Sequence, residues 1–207
     1  MSLSSLVFVI AVGGFLYKES SVAYAVQTAT DAVVVTLQVD AGITITSPPD
    51  TTLSNTIGVS NNTAVGTTTW TVATNNTLGY FLGVKASTFP AMKSATDQVQ
   101  DFSTSSMPTT WSVAATDARF GFSAFGTGVL SRWGTGSFCN GAATSTFNPT
   151  LNYYGFYTNS TTTTNITSTT TQAGNPTTIC YVAQQGTSFF IPSGTYTATI
   201  TATATTN

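Results

Sequence analysis

Near the end of the chain, Tyr196–Thr205 alternates without a break between apolar and hydroxyl-bearing side chains. Side chains on a strand point to opposite faces in turn. Tyr196, Ala198, Ile200, Ala202 and Ala204 therefore line one face, and Thr197, Thr199, Thr201, Thr203 and Thr205 the other. Such a ribbon needs a sheet to lie in and a second layer over its apolar side.

Much of the remaining chain supplies material for those layers. Val33, Val35, Leu37 and Val39 share a face of Ala32–Val39, which reads as a strong first strand. Ile43–Thr46 resumes the alternation, and Ser47-Pro48-Pro49-Asp50 stops it, because proline removes a ladder donor and restrains the residue before it. Thr67–Thr74, around Trp70, and Tyr80–Ala86 are separated by Asn75-Asn76 and read as a hairpin. Further strands are expected at Trp111–Ala115, Arg119–Phe125, Leu151–Tyr157, Thr178–Gln184 and Ser188–Ile191. Ala95–Phe102 reads as one or two helical turns or a loop, and the low-complexity run Ser160–Thr171 as an exposed loop or a polar edge strand. The expected fold is all-β, an antiparallel β-sandwich of Ig-like or pilin-like type with about nine to eleven strands. Residues 26–207 form its single domain.

The covering of such a fold is set by composition. Of the 207 residues, 41% are hydrophobic, enough for a core, but only 6% are charged, against roughly 25% in ordinary globular proteins. The surface must be Thr, Ser, Asn and Gly, with little charge to oppose self-association. The five basic residues, Lys18, Lys85, Lys93, Arg119 and Arg132, form no cluster. A phosphate backbone needs one, so nucleic acid is excluded as a partner.

At the N-terminus, Leu6–Tyr17 is an unbroken apolar run, too short to cross a membrane core of about 30 Å. It matches the apolar centre of a secretory signal peptide, and Ala23-Tyr24-Ala25 places the cut before Val26. Residues 1–25 are accordingly a signal peptide or a retained apolar helix of pilin-like character. Against the second reading stand Gly13-Gly14 within the run and Ser5 where bacterial type IV pilins carry Glu.

In an exported chain, the isolated pair Cys139 and Cys180 forms one disulfide. The chain has no His, so two thiolates could not complete a zinc site. Asn-x-Ser/Thr sequons occur at Asn61, Asn75, Asn159 and Asn165, as candidate glycosylation sites or as chance products of a Thr- and Asn-rich composition. Asp97 and Asp101 are spaced to share a helical face and could hold Ca²⁺; the plainer reading is solvated loop acids.

Without His, the Ser-His-Asp and Cys-His arrangements are unavailable. A hydrolase would have to draw on Asp97, Asp101 or Asp117, and no spacing marks a carboxylate pair. No phosphate loop is present either, so neither catalysis nor a cofactor is expected. Trp70, Trp111, Trp133, Tyr153 and Tyr154 could stack sugars or pack a core.

Val35–Asp50, Trp70–Tyr80 and Phe190–Ile200 together resemble secreted, Thr-rich β-sandwich surface proteins of ultrasmall bacteria of the candidate phyla radiation. The resemblance implies export and surface display and carries over no functional residues. The expectation is a non-enzymatic extracellular structural protein, a self-assembling subunit of a cell-surface filament, pilus-like fibre or coat. Its partner would be its own copies, through Ala32–Val39 or Tyr196–Thr205 as a donated strand. The alternative is a monomeric adhesin or carbohydrate-binding module that meets surface glycans.

Overall fold

A computed structural model of the chain describes residues 29–102, 107–139, 147–156, 163–170, 172 and 174–207. The expectations on residues 1–25 and Asn159 lie outside them. Val39–Asn207 forms one unit, and residues up to Gln38 belong to another.

Eleven strands are found among the described residues, and the helical content there is a single 3₁₀ turn at Ser131–Trp133. The strands are β1 (Ile43–Ile45), β2 (Thr63–Thr74), β3 (Tyr80–Ala86), β4 (Met92–Lys93), β5 (Gln98–Asp101), β6 (Thr109–Thr110), β7 (Ala118–Gly126), β8 (Asn152–Tyr153), β9 (Thr164–Thr169), β10 (Asn175–Gln185) and β11 (Ile200–Thr206). The protein is thus nearly all β. A six-stranded sheet runs β1-β2-β10-β7-β5-β4, a three-stranded sheet β11-β3-β9, and β6 pairs with β8. Pairing is antiparallel except between β5 and β7.

Strand β10 lies at the middle of this arrangement because it is apolar on both faces. Ile179, Tyr181 and Ala183 join the main core, with Val72 of β2, Phe120 and Phe122 of β7, and Leu82 and Val84 of β3. Cys180 and Val182 point the other way, into a second core with Val65, Phe102, Trp111, Leu151 and Tyr153. Phe122 stacks on Phe156 at 4.3 Å between ring centroids and contacts Trp133 at 5.1 Å. Cys139 and Cys180, with Cα atoms 5.2 Å apart, are joined as a disulfide and fasten the second core's outer layer to β10.

Several expectations need correction. Ala32–Val39 carries no strand; the edge of β2 is taken by Ile43–Ile45, which pairs with Val72–Thr74. Alternation sorts side chains between faces but names no ladder partner. The segments β2 and β3 do not form a hairpin, since they lie in different sheets. The chain between them turns a corner through Gly79, whose φ of +80° brings its backbone against the Thr169 carbonyl, where a Cβ would clash. Ala95–Phe102 contains the strand β5 and no helix, because Val99 is needed in the core and Gln100 pairs with Arg119. Trp111–Ala115 and Ser188–Ile191 are not strands, and the described residues of the expected strand Leu151–Tyr157, up to Phe156, contribute only the short β8. Within Ser160–Thr171 the edge-strand reading holds for β9, where Ile166 is fully buried.

Candidate functional site

Part of the main core, around Trp70, Phe120 and Tyr181 of the six-stranded sheet, borders a cleft. Two extended stretches, 45–57 and 191–202, flank this part and enclose the cleft, of about 1030 Å³. Its floor is apolar and includes Trp70, Met92, Val99, Phe120 and Tyr181. Asp50 is the one charged residue in its lining. Burial pushes the Tyr181 hydroxyl up to about 12, against a lowering by its hydrogen bond with Thr68 at 2.9 Å, so the floor is neutral at ordinary pH.

Backbone and amide bonds hold the two walls. Ser54 bridges to Val65, its amide donating to the Val65 carbonyl at 2.6 Å. The Asn61 side-chain amide donates to the Thr56 and Thr63 carbonyls. On the other wall, Thr197 and Lys93 exchange two backbone hydrogen bonds of 2.8 and 3.0 Å. Gln185 spans both: its amide donates to the Gly58 carbonyl at 2.9 Å, and its carbonyl oxygen accepts from the Ile191 N–H at 3.0 Å. Sequence reasoning passed over Gln185. The signal was a polar residue ending the core-facing series Ile179, Tyr181, Ala183 on β10.

The alternation of Tyr196–Thr205 holds in the structure. Tyr196, Ala198, Ile200, Ala202 and Ala204 are half-buried and pack on the main core, while the intervening threonines are exposed. Ile200 and Ala202 lie in β11; Tyr196 and Ala198 precede it. β11 is an edge strand, bonded to β3 alone within its sheet. The N-terminal series differs, with Val33, Val35, Leu37 and Val39 exposed by 82, 88, 83 and 69%.

The acids do not converge. Asp97 accepts from the Thr96 hydroxyl at 2.6 Å, and Asp117 is paired with Arg119 at 2.5 Å. Asp101 is not a solvated loop acid: it ends β5 at 4% exposure, and its Oδ2 accepts from the Ala91 N–H at 3.1 Å. Burial raises its carboxyl to about 7; the Ala91 and Phe156 amides and the charges of Lys93 and Arg119 act in the opposite direction. Among the described residues, no three of Cys, Asp or Glu gather where a metal could sit, and no helix is long and apolar enough to cross a membrane.

Trp70, Trp111, Trp133, Tyr153 and Tyr154 are all buried, which makes them packing residues. Of the sequons, Asn165 is exposed on β9. The side-chain nitrogens of Asn61 and Asn75 both donate to backbone carbonyls, bonds that a sugar on that nitrogen would disturb.

Compared with known proteins, the chain matches no family, no curated protein and no solved structure.

Proposed function

We propose that this protein is a non-enzymatic, extracellular structural subunit of β-sandwich type that assembles with its own copies into a cell-surface filament, pilus-like fibre or coat. The observation that carries the reading is the run Val33–Val39, a strand-patterned apolar series left uncovered in the single chain. Contiguous apolar surface of that kind marks a contact to be made. The near absence of charge removes the usual barrier to close packing of copies. A cut before Val26 would leave the series close to the mature N-terminus, and the disulfide suits an oxidising exterior.

The test is whether purified full-length mature protein polymerises. Sedimentation velocity and negative-stain electron microscopy over a concentration series should show fibres or ordered sheets that persist on dilution. A protein that stays monomeric throughout and binds an immobilised glycan would favour the alternative, an adhesin or carbohydrate-binding module.

A further inference from the structure

We infer that Ala32–Val39 of one copy adds as a strand to the outer edge of β11 in a second copy, its apolar face closing the cleft between residues 45–57 and 191–202. This rests on the self-assembly reading above and names the contact that would produce it.

The backbone of the acceptor edge has the right polarity. Thr199 accepts from the Ser87 N–H at 2.9 Å, and Thr197 exchanges both its bonds with Lys93. In an antiparallel ladder, hydrogen-bonded and non-bonded pairs alternate. The register Thr201↔Lys85 and Thr203↔Gly83 therefore turns the odd-numbered residues toward β3. The N–H and C=O groups of Ala198, Ile200, Ala202 and Ala204 then point to the opposite side, where no strand of the described residues pairs with them. An edge of this kind is a template for a further strand.

The side chains agree with the backbone. The same even-numbered residues put their side chains on the core, and three of the four are alanine, so the core is thinly filled along this edge. Beside them lies the uncharged cleft lining of Trp70, Phe120 and Tyr181, side chains that also belong to the main core. A strand added at that edge sends alternate side chains into the cleft. Val33, Val35, Leu37 and Val39 are such alternate side chains, and they are uncovered in the single chain. Ala32–Val39 carries no charge, and Asp50, the charged residue of the cleft lining, is itself exposed, so closure by an uncharged strand brings no second ionic group into the cleft.

The experiment uses the full mature chain and variants on each side of the contact. On the donor side, Val35→Asp with Leu37→Asp alters residues that are exposed in the single chain, so the melting temperature of the monomer should not change. On the acceptor side, Ala202→Pro removes an outward N–H and keeps the β3 ladder, a substitution that edge strands accept. Either set should lower the polymer fraction by about tenfold or more. A mixture of Leu37→Cys and Ala202→Cys chains, treated with a short dithiol-reactive linker, should give a covalent dimer containing one of each. Polymers that form normally from both the Asp and the Pro variants would overturn this contact and leave the self-assembly reading standing. Crosslinking of a Leu37→Cys/Ala202→Cys double variant solely within one chain would also overturn it. Absence of polymers from the unaltered protein would sink the self-assembly reading itself, and the contact with it.

Discussion

Asp101 shows how burial of one side chain makes stability depend on pH. Its ordinary value is 3.8, and in the folded protein burial raises it to about 7. Between those values the folded state holds a proton that the unfolded chain has lost. The contribution of Asp101 to stability is therefore greatest below about pH 4, falls as pH rises toward 7, and levels off above. Asp101→Asn should remove that slope, worth roughly 2–4 kcal/mol across the window; urea denaturation at a series of pH values measures it. Gln185 is the second such residue. At 2% exposure it makes two part-buried hydrogen bonds, one to Gly58 just past one wall of the cleft and one to Ile191 in the other. Gln185→Ala leaves the Gly58 carbonyl and the Ile191 amide without their partner and should cost about 2–3 kcal/mol, read as a lower urea midpoint with unchanged slope. Neither role was legible in the sequence. Asp101 sits in a stretch whose i, i+4 acids suggested a helix, and burial of a carboxylate depends on neighbours distant in the chain, Ala91 and Phe156 among them. Gln185 did leave a trace, as the polar end of an apolar series.

At the scale of elements, legibility followed the local pattern. β7 and β10 were placed within a few residues because their sequences are long, apolar and β-branched or aromatic. The faces of Tyr196–Ala204 were read correctly residue by residue. Partnership was another matter. Thr67–Thr74 and Tyr80–Ala86 looked like neighbours because five residues separate them, yet Gly79 at φ +80° and the pairing of β2 with β10 send them to different sheets. Ala32–Val39 is as rich in valine as a core strand and has no ladder in the single molecule. The disulfide was read from cysteine number alone, and it joins the outer layer to β10 across a sequence separation of 41 residues. Loop-closure entropy puts its contribution at roughly 4 kcal/mol. Reduction should lower the melting temperature markedly in calorimetry, and a Cys139→Ser/Cys180→Ser chain should melt at the reduced value.

For the whole molecule, the scarcity of charge leads to a prediction about assembly. Contacts of the proposed kind, made by backbone ladders and valine side chains, would have little Coulombic content, and salt screens only what is charged. Polymer yield should therefore change little between low salt and about 1 M sodium chloride, and should rise in sodium sulfate, which strengthens apolar burial. Turbidity and pelleting assays distinguish this from an ionic assembly, which would dissolve as salt is added. The cleft and its edge could not be read from sequence, because they arise where Thr46–Ile57 and Ile191–Thr199 cross the sheet as irregular backbone.

The central position of β10 has a consequence for how the chain comes to be folded. Its neighbours β2 and β7 are made long before it, and β2 waits for a partner roughly a hundred residues downstream. Pairings that span such distances close late and slowly. Until Gln185 has been synthesised, the six-stranded sheet lacks part of its β10, and until Cys180 has been, Cys139 lacks its disulfide partner. Up to that point β2 and β7 have no strand between them to join them.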